Sequence, residues 1–433
     1  MEELIVIGGG LAGTEAAWQA AKRGVKVVLY EMRPAKLTEA HKTGMLGELV
    51  CSNSLRSAEL LSAPGLLKKE LQMAGSLIME AAESCSIAAG GALAVDRKLF
   101  SQFLTDAAAS HQNITVVREE VCEIPGTYAI IATGPLTSAK MAEALGRLIG
   151  ADHLYFYDAI APIVDADTID YGKVYFASRY GKGGKDYINC PMTRDEYSAF
   201  FDALSEADKV NVKDFENEKV FEGCMPVEVM ALRGRDTLRF GPMKPVGLPD
   251  PKTEKEPYAV VQLRAENREG SAYNMVGFQT RLRWPEQKRV FRMIPGLGRA
   301  EFFRFGSVHR NTFINSPLFL DKDLSFKAGE NTFLAGQITG VEGYIESTAM
   351  GLVAGINAAR RILGRGAVEA PVTTAHGSLV HHVTSPSSNF QPSNINFGLM
   401  PPVERVRSKD LRRKRIVERA LEDWKVYCER VRQ

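Results

Sequence analysis

The chain begins with a short apolar run, a glycine-rich turn and a helix of small residues, which together are typical of a dinucleotide-binding βαβ unit. The turn contains Gly8, Gly9, Gly10, Leu11, Ala12 and Gly13, and the next apolar run ends on Glu31, 18 residues after Gly13. Gly8 would permit the tight turn, Gly10 would let N–H groups approach a pyrophosphate, and Gly13 would let helix and strand pack closely. Glu31 stands near the spacing at which a carboxylate accepts from a ribose hydroxyl. We therefore predict a dinucleotide site here.

Two further strand–turn patterns favour a flavin dinucleotide over a nicotinamide one. An apolar run at residues 129–132 ends in a Thr-Gly turn, and residues 331–337 form a second strand before a glycine turn and a small-residue helix. The N-terminus of such a helix offers free N–H groups to an anion or a ring carbonyl. Each pattern alone would be an ordinary βα connection, but the three in this order resemble the large flavoprotein oxidoreductase group, and this resemblance implies FAD. The additional cofactor-binding residues are Thr133, Gly134, Gly336, Gln337, Gly343 and Tyr344.

Bulk properties are those of a cytoplasmic enzyme. The 433 residues suffice for two or three domains, and 24% charged residues is ordinary for a globular protein. The sequence has no apolar stretch of about 18 residues. It also shows no signal-peptide pattern at its start. The six cysteines form no CxxC pair, which argues against a zinc cluster and suits a reducing compartment. We expect no metal site.

The strand patterns predict an α/β fold with a discontinuous Rossmann-like FAD-binding domain. Residues 1–157 and 327–433 would form that domain, and residues 158–326 would form an inserted α+β substrate domain with aromatic and β-branched strands. Residues 369–402 are rich in Pro, Ser, Thr and Asn and are expected to be irregular and to lie on the surface. Residues 405–433 should form a helix.

Two basic segments contrast with a net charge of only +2 for the whole chain. Residues 405–433 hold 11 Lys and Arg against 5 Asp and Glu, and residues 281–310 hold 8 against 2. Either segment could be a solvated face, but two beside a flavin domain favour a polyanionic substrate. The residues expected to contact it are Arg281, Arg283, Lys288, Arg289, Arg412, Arg413, Lys414 and Arg415.

Eight stretches resemble the folate- and flavin-dependent tRNA (uracil-5)-methyltransferase family, which is related to the wobble-uridine modifying flavoproteins. They lie at residues 31–34, 49–55, 90–97, 132–138, 241–248, 284–289, 309–312 and 341–344. The resemblance implies formation of 5-methyluridine in the T loop of tRNA. It implies methylenetetrahydrofolate as carbon donor and FAD with NADH or NADPH as reductant. It also adds Arg33 to the cofactor residues.

The same resemblance selects two cysteines that the local pattern does not distinguish from the others. It implies that Cys224 is the nucleophile adding to carbon 6 of uracil and that Cys51 is its partner near the flavin; the reverse roles stay open. It also implies that His309 stacks the pterin over the flavin ring. Trp284 is a second folate-binding candidate, and it could equally belong to the core.

Two alternatives from other function classes remain at this stage. One is a flavin-dependent oxidoreductase with a small-molecule substrate, against which the basic segments and the missing CxxC pair count. The other is a non-catalytic flavin-bearing RNA-binding protein, which would bind RNA without turnover and would not need its cysteines.

Overall fold

The structure is a computed structural model, and it describes residues 2–150, 154–210, 225–387, 390–404 and 408–433. Its strands are β1 (Leu4–Ile7), β2 (Val27–Tyr30), β3 (Ser54–Ser57), β4 (Ser86–Ile87), β5 (Ala92–Val95), β6 (Ile114–Val117), β7 (Ala129–Ile131), β8 (Leu154–Ile160), β9 (Ile163–Asp165), β10 (Tyr175–Phe176), β11 (Tyr187–Met192), β12 (Ala259–Ala265), β13 (Ala272–Met275), β14 (Phe302–Arg304), β15 (Ser307–Phe313), β16 (Ser325–Phe326) and β17 (Gly329–Leu334).

Helices alternate with these strands at both ends of the chain. They are α1 (Leu11–Ala21), α2 (Ala63–Met73), α3 (Leu77–Ser84), α4 (Arg97–Ser110), α5 (Ala139–Ile149), α6 (Arg194–Glu206), α7 (Val227–Leu232), α8 (Thr237–Phe240), α9 (Trp284–Phe291), α10 (Ser316–Phe319), α11 (Tyr344–Ile362), α12 (Ala375–Thr384) and α13 (Lys409–Arg432). Within the described ranges, no helix has the length and apolar character needed to cross a membrane.

The central sheet combines strands from both ends of the chain. Its order is β16, β17, β7, β1, β2, β6, and every neighbouring pair is parallel except β16 with β17. All of β7 and most of β1 are buried, as expected for parallel strands covered by helices on both faces. The carboxyl ends of β1, β7 and β17 meet at one edge, so the glycine turns that follow them come together. The predicted α/β fold class is confirmed.

Helices α1 and α11 cross on this sheet at two glycines. A methyl group on Gly351 would overlap the carbonyl oxygen of Ala12, and one on Gly355 would overlap that of Ala16. The two backbones therefore touch directly. This close approach sets the height of the N-terminus of α11 above the sheet edge.

A second, antiparallel sheet has its own hydrophobic cluster. Its order is β10, β11, β12, β13, β9, β14, and the apolar faces of α6, α7 and α9 cover one side. This cluster draws on residues 164–300, whereas the cluster around the central sheet draws on residues 4–149 and 313–431. The antiparallel pair β8 and β15 runs between the two clusters.

The expectation that residues 369–402 are irregular and superficial is wrong in part, because this segment contains the buried helix α12. The carboxylate of Glu70 accepts from the N–H groups of Ala375 and His376 at 2.8 and 2.9 Å, which satisfies the start of the helix inside the protein. Thr374 caps the same turn. The polar residues that suggested a loop therefore belong to the helix end.

The predicted C-terminal helix is confirmed for residues 409–432 as α13, and it is anchored in the core; residues 405–407 lie outside the described residues. Trp424 stacks on His376 with ring centroids 4.1 Å apart and donates to the carbonyl oxygen of Glu70 at 2.7 Å. Because Trp424 is fully buried, this helix packs against α2 and α12 along one face and leaves its charged face outside.

The crossing of α1 and α11 gives a first test. Gly351→Ala should lower the free energy of unfolding by about 1–3 kcal/mol, because the added methyl group forces the two backbones apart. Helix propensity alone would predict a gain of about 1 kcal/mol. Urea denaturation distinguishes the two signs. Gly366→Ala is the control, since a methyl group there meets nothing within 4 Å; a stabilised Gly351→Ala protein would contradict the close crossing.

Candidate active site

An open cleft lies at the carboxyl edge of the central sheet. It brings together most of the cofactor-binding residues expected from the sequence, namely Gly8, Gly10, Leu11, Ala12, Glu31, Arg33, Thr133, Gly134, Gly336, Gln337 and Tyr344. Gly9, Gly13 and Gly343 shape the turns beside it. The cleft is also lined by polar residues that sequence reasoning missed, including Thr38, His41, Glu48, Glu119, Glu120, Ser138 and Ser347. Ser138 and Ser347 belong to strand–turn–helix segments that the sequence pattern identifies. The other five come from segments without such a pattern, so no local signal marks them.

The first glycine turn leaves open space where α1 begins. Gly8 has φ +104° and would clash with Ala132 if it carried a side chain, whereas a methyl group on Gly10 would meet nothing within 4 Å. Gly13 abuts the carbonyl oxygen of Gly8. No side chain caps α1 among the described residues. The free N–H groups of its first turn therefore face the cleft, as required for an anion such as pyrophosphate.

Glu31 and Arg33 form a buried ion pair at the wall of the cleft that follows β2, which we call the far wall. Glu31 Oε2 accepts from the N–H of Gly9 and from Arg33 Nη2, both at 2.9 Å, and Oε1 accepts from Arg33 N and Nε at 2.9 Å. Arg33 Nη1 also donates to Glu48 at 3.0 Å. Burial opposes ionisation of Glu31, but these bonds and the Arg33 charge lower its pKa below the usual value. The carboxylate is thus held ionised against the turn.

The N-terminus of α11 forms the opposite wall. Gly343 has φ +112° and precedes the helix, and no side chain of the described residues caps it. Gly336, at φ +83°, would overlap Ala12 if it carried a methyl group, so β17 and α1 also meet closely here. The first N–H groups of α11 are available to a ring carbonyl or an anion.

Tyr344, the first residue of α11, holds the segment that we call the thiol loop, residues 49–53. Its hydroxyl oxygen accepts from the N–H of Cys51 at 2.9 Å and from that of Ser52 at 3.1 Å. Burial raises the pKa of Tyr344, so the hydroxyl stays protonated. Tyr344 and Val50 both line the cleft. The half-buried thiol of Cys51, which is free of any disulfide, therefore stands beside the dinucleotide cleft.

Two arginines tie the thiol loop to the second sheet. Arg97 donates to the carbonyl oxygen of Leu49 at 2.5 Å and forms an ion pair with Glu266. Arg264 of β12 donates from Nε to Asn53 Oδ1 at 2.9 Å and from Nη2 to Ser52 Oγ at 2.7 Å. The loop is thus fixed between the two sheets.

The remaining predicted residues are placed less completely. Cys224 lies outside the described residues. His309 lies in β15, where its backbone pairs with Asp158, and its side chain is outside the described part. Burial raises the pKa of the Cys190 thiol, and it raises that of Cys428 to about 11, so neither resembles a reactive thiolate.

Trp284 is not a core residue and does not line the cleft. It begins α9 with 63% of its surface exposed, and its ring stacks on Phe305 with centroids 5.7 Å apart. Phe305 in turn stacks on Phe302 at 5.2 Å. These rings offer a flat apolar surface beside β14 that a planar heterocycle could cover.

The two basic segments differ in how many of their charges are paired. In the first, Arg281 pairs with Glu228, Lys288 with Glu301 and Arg289 with Glu286, while Arg283 is exposed at the start of α9. Along α13, the ion pairs of Arg413, Lys414 and Arg415 are 3.8–4.0 Å long and exposed. Arg412 is also exposed. The α13 face therefore offers the more available positive charge.

A parallel sheet whose glycine turns surround one cleft defines the class of dinucleotide-binding flavoproteins. The family model of glucose inhibited division protein A matches residues 3–366. Two crystal forms of Aquifex aeolicus GidA share the fold, with TM-scores of 0.71 and 0.68 at 17% and 18% identity. They cover 98% of this chain, which spans 73% and 76% of theirs.

Curated relatives specify the branch within this class. A Moorella thermoacetica protein is 59% identical over 98% of both chains, and a Geobacter sulfurreducens protein is 60% identical over 96% of both. An Aquifex aeolicus protein is 56% identical over 97% of this chain and 95% of its own. The chain belongs to the family whose name these relatives carry, methylenetetrahydrofolate--tRNA-(uracil-5-)-methyltransferase TrmFO. The resemblance noted in the sequence is confirmed.

The Glu31–Arg33 pair predicts a pH dependence of stability. Because folding lowers the pKa of Glu31 from an ordinary value near 4.5, its contribution is present above that value and is lost as pH falls through the folded value. Glu31→Gln should lower the free energy of unfolding by about 3 kcal/mol at pH 7, and by less than that at pH 3. Urea titrations across this range measure it. The exposed Glu143→Gln is the control, and a pH-independent difference would contradict the pairing.

Proposed function

We propose that this protein transfers the one-carbon unit of methylenetetrahydrofolate to carbon 5 of a uridine in the T loop of tRNA and reduces it to a methyl group. The observation that carries this proposal is the contact of Tyr344 with the thiol loop, because it places a cysteine at the wall of a dinucleotide cleft. Uracil methylation needs both parts, since a thiolate must activate the ring and a reductant must convert the carbon. The names of the relatives describe the same reaction.

The cleft fits FAD. The open space at Gly10 and the uncapped start of α1 suit a pyrophosphate, and the uncapped start of α11 suits the polar edge of a flavin ring. FAD, when bound there, supplies the electrons that reduce the transferred carbon, and NADH or NADPH restores them. The residues of the cleft bind and orient these groups.

The two cysteines have different roles in the reaction of uracil, one as nucleophile and one as base. The thiolate of Cys224 adds to carbon 6, and the resulting electron-rich carbon 5 attacks the one-carbon unit. Cys51 then takes the proton from carbon 5, after which the bond to carbon 6 breaks and the thiolate leaves. In the second assignment, the two cysteines exchange these roles.

The folate is held on the aromatic surface beside β14. Trp284 carries this proposal best, because its exposed ring lies on Phe305 and leaves one face open for a pterin. His309 in the neighbouring β15 is the second folate-binding residue.

We propose that tRNA binds across both domains. The reaction takes place in the cytoplasm. Residues 1–157 with 327–433 act as the FAD-binding domain, and residues 158–326 act as the inserted substrate domain. The two basic segments would bind phosphates of the T arm, with Arg281, Arg283, Lys288 and Arg289 in one and the run at residues 412–415 in the other.

The proposed chemistry predicts a strict cysteine requirement. Cys51→Ala and Cys224→Ala should each lower 5-methyluridine formation by more than about 1000-fold, because each removes a reacting group. The measurement is nucleoside mass spectrometry after incubation with unmodified tRNA, methylenetetrahydrofolate and NADPH. Cys85→Ala and Cys428→Ala are the matched controls, and all four variants should retain FAD.

The same assay excludes the other function classes. A parent protein that oxidises NADPH but leaves tRNA unmodified would be an oxidoreductase. One that binds tRNA without turnover, whatever the cysteine, would be a binding protein. If only one of the two variants loses activity, the division of labour is wrong.

The exposed face of α13 predicts salt-dependent binding. Replacing Arg412, Arg413, Lys414 and Arg415 by Ala should weaken tRNA binding and lower the slope of log affinity against log salt by up to about four units, because each bound phosphate releases counterions. Binding titrations at several salt concentrations measure the slope. A Lys173→Ala, Lys252→Ala double variant, with both lysines outside the basic segments, should keep it. An unchanged slope in the quadruple variant would make this face merely solubilising.

A further inference from the structure

Positive charge accumulates around the thiol loop beyond what the described carboxylates neutralise. The charges of three arginines reach Cys51: Arg97, Arg264 and Arg304. One carboxylate, Glu266, acts on all three. Burial lowers the pKa of Arg264 and of Arg304, and the charge of Arg97 lowers the latter further. Because buried charges are stable only when paired, this site favours a ligand that brings negative charge.

The strand register places Arg304 on the face of the second sheet that looks towards the thiol loop. Arg264 pairs with Asn274, Asn274 pairs with Ile163, and Ile163 pairs with Arg304 across β12, β13, β9 and β14. Paired residues of neighbouring strands share a face. The register of β14 shifts between Phe302 and Arg304, and this shift is what pairs Arg304 with Ile163. Arg264 contacts the thiol loop directly, and Arg304 interacts electrostatically with Arg97, Glu266 and Cys51, so Arg304 lies on the same side.

Arg304 differs from its neighbours because most of its donors are unused. Arg97 and Arg264 are occupied by Leu49, Glu266 and the thiol loop. In contrast, Nε and Nη2 of Arg304 are enclosed and have no hydrogen-bond partner within the described part of the chain. Nδ2 of Asn274, in the same row, is also enclosed without one. Buried donors in native proteins are rarely without a hydrogen-bond partner, so we expect these donors to bind an oxygen atom of a ligand.

We propose that Arg304 is a catalytic residue that donates to the uracil carbonyl oxygen at carbon 4, where negative charge develops when the cysteine thiolate adds to carbon 6. The proposal rests on the function proposed above. In this step the sulfur lone pair forms the bond to carbon 6. The π pair between carbons 5 and 6 moves towards the carbon 4 carbonyl, and its oxygen becomes an enolate. When carbon 5 attacks the one-carbon unit, the charge returns from that oxygen.

The charge balance selects uracil over the pterin as the acceptor. A neutral pterin carbonyl would leave the surplus of three arginines over Glu266 unchanged, whereas the enolate supplies a full negative charge beside Cys51. A fixed donor aimed at an oxygen that becomes charged only in the reaction lowers the barrier more than it tightens binding.

The test uses the FAD-loaded full-length protein and a T-arm RNA hairpin carrying 5-fluorouridine at the target position. With methylenetetrahydrofolate and NADPH, the base stays covalently attached once carbon 5 has bonded to the one-carbon unit, because fluorine replaces the proton that must leave carbon 5. Arg304→Gln should slow formation of this adduct by about 100-fold, with the affinity for the hairpin and the KM for the folate within about 3-fold of the parent. Arg304→Lys keeps a charge and should recover part of the rate. The exposed Arg194→Gln is the matched control.

The outcomes separate this inference from the function on which it rests. A parent that forms neither the adduct nor 5-methyluridine would overturn the proposed function itself. With an active parent, an unchanged adduct rate in Arg304→Gln would overturn the role of Arg304. A raised KM for the folate at unchanged kcat would assign Arg304 to the pterin and equally overturn it. If Arg304→Gln fails to fold, the rate of adduct formation in Arg304→Lys decides. A rate below that of the parent supports the role of Arg304, and a rate equal to that of the parent overturns the need for its guanidinium group.

Discussion

The hydroxyl group of Tyr344 joins the two chemical halves of this protein. It belongs to the helix that closes the dinucleotide cleft, and it accepts from the backbone of Cys51. Its position depends on the direct crossing of α11 over α1, which the missing side chain of Gly351 permits. A packing constraint deep in the central sheet is thus transmitted, through one helix, to the loop that carries Cys51.

The two ends of the cleft have opposite electrostatic character. At the far wall, Glu31 is neutralised by Arg33, so that end is already satisfied without a ligand. Around the thiol loop, Glu266 is the one carboxylate that acts on all three of Arg97, Arg264 and Arg304. Nε and Nη2 of Arg304 have no hydrogen-bond partner within the residues described. This contrast suits an enzyme that binds its cofactor at the Glu31 end of the cleft and stabilises developing negative charge at the thiol loop.

The sequence predicted the central sheet and most of the cleft, because strand, glycine turn and helix are local patterns with one geometric solution. It could not rank Cys51 above the other cysteines without the family resemblance, since its contact with Tyr344 spans 293 residues of sequence. The polar composition around Thr374 predicts a loop, and this prediction is wrong because a helix cap has the same composition. Arg304 belongs to the basic segment at residues 281–310, but the sequence does not distinguish it from the other basic residues there, because its position beside the thiol loop depends on strands that are distant in sequence.

The central claim is that the flavin and the thiol of Cys51 share one site. The rate of alkylation of each cysteine by iodoacetamide, followed by peptide mass spectrometry before and after reconstitution with FAD, tests it directly. Cys85 does not line the cleft and serves as the internal control. The structure predicts that FAD slows alkylation of Cys51 by at least about 10-fold, because the bound ring covers the wall formed by the thiol loop, and leaves the rate for Cys85 unaffected. Equal rates for Cys51 with and without FAD would contradict it.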